Sequence, residues 1–246
     1  MRISAIPTAP VVPGGPTLLQ LLDQYLPHIT PGQMVAVSSK IVSICEGRVI
    51  PDQDIDREEL ILREADYYRD PSSNPYHFAI TIKNDNLIGS AGVDQSNGNG
   101  HFVLWPADAQ ATANLIRQHL VARAGGPVGV IITDSHSLPM RRGATGFGLA
   151  HSGFRAIVRY AGRPDIFGRP FKSESANLLD GLSAAAVTVM GEGSEQTPIA
   201  LIEDIDFVDF HNRNPNPEEL DELRVPLEDD VYREAFEAIN WNKRPK

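Results

Sequence analysis

A carboxylate, two hydroxyls and a guanidinium group follow one apolar stretch near the middle of the chain. Residues 128–132 predict a buried strand, and Thr133, Asp134 and Ser135 come directly after it. A short loop is predicted next, and it leads to Arg141. Oxygen ligands suit Mg²⁺ or Mn²⁺, and arginine suits phosphate. The segment therefore indicates a site for a nucleotide and its metal ion, or else a buried strand ending in an Asp-stabilised turn with exposed arginines.

A second carboxylate stands in a similar position. Asp94 follows a short apolar stretch and is itself followed by Ser96 and Asn97. Two loop carboxylates from two strands can hold a divalent cation against nucleotide phosphates, which pairs Asp94 with Asp134. Taken singly, each aspartate is more often a turn former. Lys40 is able to neutralise a phosphate, although a lone lysine after a strand is usually solvated.

Two further polar segments each have a functional and a plainly structural interpretation. Glu46 begins a Glu-Gly-Arg sequence that is either part of a site or a charged turn. Gly191 and Glu192 follow an apolar helix pattern, where glycine is common as a C-cap. The histidines show no metal-ligand spacing, and His136 is the one that falls in the predicted active loop.

The chain lacks the common nucleotide-binding and hydrolase signatures. It contains no GxxxxGK[ST] phosphate loop, no GxGxxG sequence at a strand-to-helix turn and no GxSxG elbow. Its single cysteine, Cys45, has no evident His or Asn partner. A nucleotide site in this chain would therefore belong to a less common fold.

Composition narrows the class of protein. A formal net charge of −10 argues against nucleic acid as a partner, because no basic stripe offsets phosphate repulsion. A single cysteine excludes an internal disulfide framework and suits a reducing compartment. The sequence begins without a signal-like apolar core and has no apolar run of about 18 residues, so we expect a cytoplasmic protein with no membrane partner.

Strands and helices are interspersed without a regular βαβ alternation, and Asn84-Asp85-Asn86 is a hairpin signal. This predicts a mixed α+β fold with largely antiparallel sheets and flanking helices. The predicted strands cover residues 2–6, 35–39, 78–83, 87–91, 128–133, 143–153 and 198–202. The predicted helices cover residues 18–25, 57–68, 107–123, 175–190 and about 231–239. We expect one domain, or two intertwined subdomains, over 1–210, and a polar tail over 211–246 whose Pro-rich segment 212–219 is a linker.

Taken in order, these segments resemble one family, the coenzyme F420 γ-glutamyl ligases, over roughly residues 1–210. The resemblance rests on Ser39–Ser43 with Glu46-Gly47-Arg48, on Ala91–Asp94 with Ser96 and Asn97, on Ile131–Ser135 with Pro139 and Arg141, on Asp165 with Gly168 and Arg169, on Asp180, and on Met190–Glu192. No single segment is specific, but their shared order is.

The resemblance implies an intertwined homodimer and a defined reaction. The γ-phosphate of GTP passes to the substrate carboxylate to give an acyl phosphate, which the amine of L-glutamate attacks. Two divalent ions, Mg²⁺ or Mn²⁺, and a monovalent cation such as K⁺ are implied. Because a carboxylate is a poor electrophile, phosphorylation supplies the leaving group it lacks.

The family's site residues carry over by position. The implied metal ligands are Asp94, Asp134 and Ser135, with Glu46 as a weaker candidate for a second metal or for an orienting role. The implied nucleotide contacts are Lys40, Arg141, Gly191 and Glu192, with Ser96 and Asn97 lining the same site. The implied catalytic residues are Asp134, Arg141 and Lys40.

The chain departs from the family pattern at three places. Ile44 stands where the family usually has Lys, Ser137-Leu138 where it has Gly-Arg, and Gly181 where it tends to have Glu. Loss of two anion contacts disfavours a phosphate-bearing acceptor such as the coenzyme F420 precursor. We expect the acceptor acid to be either that precursor or, in view of these losses, a folate. The alternative is a family member that binds nucleotide and metal but has lost ligase activity.

Overall fold

A five-stranded sheet forms the centre of the protein in the computed structural model, which describes residues 1–243. The strand order is β1-β12-β2-β8-β9. Every neighbouring pair is antiparallel except β2 and β8, which run parallel from Met34↔Gly129 to Ser38↔Thr133. The strands are β1 (Arg2–Ile6), β2 (Met34–Ser38), β3 (Val49–Pro51), β4 (Tyr67–Tyr68), β5 (Ile80–Lys83), β6 (Asn86–Gly89), β7 (His101–Val103), β8 (Gly129–Ser137), β9 (Ala144–Ser152), β10 (Ile157–Arg159), β11 (Ser175–Asn177), β12 (Ile199–Glu203) and β13 (Asn242–Lys243).

Helices cover both faces of this sheet. They are α1 (Leu18–Tyr25), α2 (Ser39–Cys45), α3 (Arg57–Glu64), α4 (Ala109–Ala124), α5 (Leu178–Met190), α6 (Pro217–Asp221) and α7 (Arg233–Glu237), with short 3₁₀ turns at Pro71–Ser73, Ser90–Gly92 and Leu227–Asp229. The prediction of a mixed α+β fold with largely antiparallel sheets is confirmed.

Successive side chains of β2 point to opposite faces of the central sheet, so the core has two layers. Val35 and Val37 pack against α1, α2 and α4, whereas Met34 and Ala36 pack against α5. All four side chains are fully buried. A sheet buried on both faces reads as a continuous apolar run. Burial of each valine contributes about 1.5–3 kcal/mol.

The β8–β9 hairpin differs from its prediction. We expected β8 to end at residue 133 and a loop to follow, but β8 continues to Ser137 and pairs with β9 beyond a register shift between Ile132 and Thr133. That shift marks a bulge, and bulges re-aim side chains beside functional sites. Asp134 therefore lies within a strand, just past the irregularity.

A smaller four-stranded sheet, in the order β13-β4-β5-β6, packs beside the central one. Its β5–β6 turn places Asn84 and Asp85 at positive φ, 48° and 60°. Two such residues form a type I′ hairpin turn, as the sequence signal predicts. Leu60 and Ile61 of α3 are buried in a cluster with Ala79, Ala91 and Phe102.

The largest differences from the predicted elements are one missed helix and two helices that are shorter than expected. Helix α2 was not predicted at all, although Ser38 caps it by accepting a hydrogen bond from the main-chain N–H of Lys40 at 3.3 Å. The predicted helix 57–68 ends at Glu64, since Ala65 is extended and β4 follows. The predicted helix 175–190 begins only at Leu178, after β11.

The segment predicted to be a linker is anchored to the body. Arg117 of α4 donates to the Oδ1 atoms of Asn212 and Asn214, at 3.3 and 2.7 Å. Arg213 makes a two-fold contact with Glu219 at 2.7 Å, and Glu219 is buried. Side-chain contacts therefore hold Asn212 and Asn214 against α4, and the Arg213–Glu219 pair closes the segment on itself. Within residues 1–243, no helix has both the length and the apolar character needed to cross a membrane.

Candidate functional site

A cavity of about 490 Å³ opens where the parallel strands β2 and β8 end. We call it the carboxylate pocket. It is lined by Thr8–Val11, by Ser38, Lys40, Ile41 and Ile44, by Asp94, Ser96, Asn97 and Asn99, by Thr133–Ser135, and by Val187 with Met190–Pro198. Carboxyl ends of parallel strands are a common place for ligands, and this volume suits one small molecule.

Lys40 joins two sides of the carboxylate pocket. It lies in the first turn of α2, directly after β2. Its Nζ is 2.5 Å from Oδ2 of Asp94. It also donates to the main-chain oxygen and the Oγ of Ser96, at 3.0 and 3.1 Å. One cation therefore holds the loop of residues 94–97 against the central sheet.

Asp94 is kept ionised by these contacts. Burial pushes its pKa upward, but the hydrogen bond and charge of Lys40, together with Ser96, outweigh burial and hold the pKa below its usual value. Ser96 donates from its main-chain N–H to Oδ1 at 2.8 Å. At neutral pH this carboxylate carries a full negative charge.

Asp134 has the opposite tendency. Burial of its carboxyl group raises its pKa to about 6, with a further upward contribution from the charge of Asp94. The main-chain N–H of Ser135 opposes this by donating to Oδ1 at 2.8 Å, and the indole Nε1 of Trp105 donates to Oδ2. Two neighbouring carboxylates in a half-buried pocket repel each other, and a cation in addition to Lys40 would reduce this repulsion.

The loop after α5 closes another side of the pocket. Ser135 donates from Oγ to Oε2 of Glu192 at 2.9 Å, and Asn97 donates from Nδ2 to the main-chain oxygen of Gly193 at 2.9 Å. Gly191 has a φ of 82°, and a Cβ there would lie 2.4 Å from the carboxyl carbon of Glu195. The chain therefore needs glycine at this turn.

The donors in this pocket suit a hard divalent ion. Asp94 and Asp134 supply carboxylate oxygens, and Thr133, Ser135 and Ser96 supply hydroxyls. Over residues 1–243, no group of three or more His, Cys, Asp and Glu side chains forms a complete metal centre. The residues fit Mg²⁺ or Mn²⁺ only if phosphate oxygens or waters complete the ligand shell, which is usual for Mg²⁺ beside nucleotides.

Most of the predicted site residues come together here, and two do not. Lys40, Asp94, Ser96, Asn97, Asp134, Ser135, Gly191 and Glu192 all line the carboxylate pocket. Arg141 is exposed in the turn between β8 and β9, outside the lining. Glu46 is exposed beyond α2 and accepts a hydrogen bond from Thr112 Oγ1 at 2.5 Å.

The departures from the family pattern lie in different parts of the structure. Ile44 is buried and lines the carboxylate pocket, whereas Leu138 is exposed in the β8–β9 turn. Only the Ile44 position bears directly on what the pocket can bind.

Sequence reasoning missed Trp105. Its indole reaches Asp134 across 29 residues, and nothing in its local sequence signals that contact. Arg48 fixes its main chain by donating from Nε to the Trp105 oxygen at 3.2 Å. Lys83 lies 5.6 Å from the ring centroid and pairs with Glu64 at 2.7 Å. A buried ion network therefore orients the ring that contacts Asp134.

The pocket brings together carboxylate and hydroxyl oxygens, one lysine and a glycine turn. These are groups of the types that proteins use to hold a nucleotide and its metal. The chain matches the family model described as F420-0:gamma-glutamyl ligase over residues 8–204. It belongs to that family.

Relatives of similar length are named coenzyme F420:L-glutamate ligase. The chain is 31% identical to the coenzyme F420:L-glutamate ligase of Methanocaldococcus jannaschii, with 91% of this chain and 94% of the relative covered. It is 31% identical to that of Haloarcula marismortui, with 96% and 97% covered, and 29% identical to that of Methanopyrus kandleri, with 82% and 86% covered.

Proposed function

We propose that this protein is a GTP-dependent γ-glutamyl ligase. It joins L-glutamate to the carboxylate of an acceptor acid through an acyl phosphate. The acceptor oxygen takes the γ-phosphoryl group from GTP, leaving GDP. The glutamate nitrogen then forms the amide bond, and phosphate leaves from the acyl carbon while the nitrogen loses a proton. Family membership supports the class of reaction.

The observation that carries the proposal is the arrangement of Lys40, Asp94 and Asp134 in one pocket. Lys40 lies 2.5 Å from Asp94, and the charges of both affect the pKa of Asp134. A transferring phosphoryl group needs positive charge on its oxygens, which Lys40 is placed to supply.

Asp94 and Asp134, with the hydroxyl of Ser135, are the residues that would hold Mg²⁺ or Mn²⁺. The metal would neutralise phosphate charge and orient the nucleotide. The glycine turn around Gly191 and Glu192 would contact the nucleotide. A requirement for K⁺ stays a prediction of the family resemblance.

The acceptor is proposed to be a coenzyme F420 precursor or a folate, each of which ends in a carboxylate. Ile44 favours the folate, because an apolar side chain lines the pocket where a lysine would contact an anion. The same substitution supports the alternative, a protein that binds GTP and metal without ligase activity.

We also propose that the protein is a homodimer. Ile166 and Phe167, at the tip of the β10–β11 hairpin, are 91% and 82% exposed. Apolar side chains of this size usually gain stability from being covered.

The test is mass spectrometry of F420-0 and tetrahydrofolate incubated with the protein, GTP or ATP, Mg²⁺ or Mn²⁺, and L-glutamate. We expect one acceptor to gain the mass of one glutamyl residue. Asp134→Asn should abolish the gain, and Met140→Ala, at an exposed position of the β8–β9 turn, should not. Unchanged acceptors together with metal-dependent GDP binding would favour the alternative.

A further inference from the structure

A second cavity, of about 600 Å³, lies beside the exposed edge of the central sheet. We call it the edge-strand cavity. Residues 147–151 of β9 line it, together with residues 108–110 at the start of α4 and Asn177, Leu179 and Asp180 at the start of α5. Its volume suits one small molecule.

The buried indole ring of Trp105 lies between the two cavities. Trp105 lines the edge-strand cavity, and its Nε1 donates to Asp134, which lines the carboxylate pocket. A molecule in the edge-strand cavity therefore lies one side chain away from Asp134.

The edge of β9 is already occupied by side chains. The main-chain N–H of Gly148 donates to Oδ1 of Asp180 at 2.9 Å. The main-chain oxygen of His151 accepts from Nε2 of Gln110 at 2.7 Å. Because an added strand would need these main-chain groups, the cavity is unsuited to a peptide and better suited to a small molecule.

An aromatic wall faces this cavity. His136 lies over Phe147 with ring centroids 4.6 Å apart, and Phe147 lies 6.1 Å from Trp105. All three residues line the cavity. Phe147 and Trp105 are only 5% and 3% exposed, so the partly exposed ring of His136 is the one available for stacking with a planar aromatic ligand.

The charges around the cavity are mostly negative. Four aspartates line it, Asp66, Asp85, Asp108 and Asp180, whereas Arg224 is the one arginine or lysine among its lining residues within the described chain. Such a lining disfavours phosphate and favours amino and amide N–H donors.

We propose that the edge-strand cavity holds the ring end of the acceptor, an aromatic heterocycle rich in N–H donors and without phosphate. Its acidic tail extends toward Asp134, on the other side of Trp105, and presents the terminal carboxylate to the carboxylate pocket. This inference rests on the proposed ligase function, and it assigns the acceptor to the folate type.

The test is isothermal titration of the whole protein with tetrahydrofolate, with F420-0, and separately with GDP and Mg²⁺. The variant is His136→Ala, with Met140→Ala on the same hairpin as its matched control. We expect His136→Ala to weaken tetrahydrofolate binding about threefold to tenfold, the size of one aromatic contact. GDP affinity should be unchanged in both variants. Phe147→Leu keeps the position apolar but removes the ring next to His136, and it should also weaken tetrahydrofolate binding.

Each outcome separates this inference from the ligase function. Equal tetrahydrofolate affinity in the parent protein and both ring variants would overturn the assignment of the cavity, even if turnover is observed. Tighter binding of F420-0 than of tetrahydrofolate would overturn the assignment to the folate type. Ring-dependent tetrahydrofolate binding without turnover would support the cavity assignment and contradict the ligase function.

Discussion

Lys40 and Asp94 form the contact that closes the carboxylate pocket, with Nζ 2.5 Å from Oδ2. The lysine comes from the first turn of α2, and the aspartate from the loop before β7. Both side chains are partly exposed, so the pair adds at most about 1 kcal/mol to stability. Its placement therefore matters more for the chemistry of the pocket than for folding.

Replacing Lys40 tests this directly. Lys40→Met should lower kcat/KM for GTP about 100-fold or more, because one donor to a developing negative charge is typically worth that much. Lys40→Arg keeps the charge and should retain more activity than Lys40→Met. Steady-state rates on the acceptor identified by mass spectrometry provide the measurement. If Lys40→Met stays within threefold of the parent protein while both fold normally, the lysine has no role in phosphoryl transfer.

Trp105 offers a test of the proposed metal site. Trp105→Phe keeps an aromatic ring and removes the N–H that donates to Asp134. Without this donor the carboxylate is less well oriented, and the Mg²⁺ concentration for half-maximal rate should rise about tenfold or more, in line with lost outer contacts at metal sites.

The matched control for that change is Trp241→Phe. Trp241 donates from Nε1 to the main-chain oxygen of Phe236, far along the chain in the tail. Equal Mg²⁺ dependence in the two tryptophan variants would show that the Trp105–Asp134 contact does not tune the metal site.

The sequence allowed prediction of the central strands from local pattern, and of most of the pocket from polar residues at strand ends together with the family resemblance. The apolar run before Asp134 indicates a buried strand, and polar residues at its end indicate a site. Lys40, Asp94 and Asp134 do line one pocket. The parallel pairing of β2 with β8 brings Lys40 and Asp134 to the same edge of the sheet.

Long-range contacts were beyond that reasoning. Trp105 contacts Asp134 through tertiary packing, and no sequence pattern around Trp105 indicates this contact. Arg141 was expected near the nucleotide because a loop was predicted after Ser135, but the strand continues to Ser137 and carries Arg141 to an exposed turn. Helix α2 was missed because its β-branched residues Ile41, Val42 and Ile44 have low helix propensity, and burial against the core overrides it.

His151 predicts a pH dependence of stability. Burial lowers its pKa to about 4, despite the opposing charge of Glu219, and neither ring nitrogen has a hydrogen-bond partner among the described residues. Since its folded pKa lies below the unfolded value of about 6.5, its neutral form is fully favourable above pH 6.5 and the stability is lost as pH falls toward 4.

Between pH 7 and pH 5 this residue should account for about 2 kcal/mol of lost unfolding free energy. Urea unfolding at the two pH values measures it. His151→Leu should lose about 2 kcal/mol less than the parent over this interval, whereas the exposed His28→Gln should match the parent. The same pH dependence in His151→Leu and the parent would show that the folded protein accommodates a charged imidazole.

The exposed apolar tip of the β10–β11 hairpin allows a test of the proposed homodimer. A double change, Ile166→Asp with Phe167→Asp, should convert a dimer into a monomer, because two charges replace the exposed apolar side chains. Tyr76→Asp, at an equally exposed aromatic position elsewhere, is the control and should leave the dimer intact. Sedimentation equilibrium distinguishes the two masses. A parent protein that sediments as a monomer at all concentrations would contradict the homodimer.

Substitution of Ile44 tests which acceptor the carboxylate pocket prefers. Ile44→Lys places an ammonium group in the wall of the carboxylate pocket, where it can contact an anion. One charge-assisted hydrogen bond is worth about 1.5–3 kcal/mol, so the ratio of kcat/KM for F420-0 to that for tetrahydrofolate should rise at least about tenfold. Because residue 44 is buried, the variant should also be less stable than Ile44→Met, the uncharged control. An equal acceptor ratio in Ile44→Lys and Ile44→Met would show that this position does not govern acceptor choice, and that the folate preference must be sought in the edge-strand cavity instead.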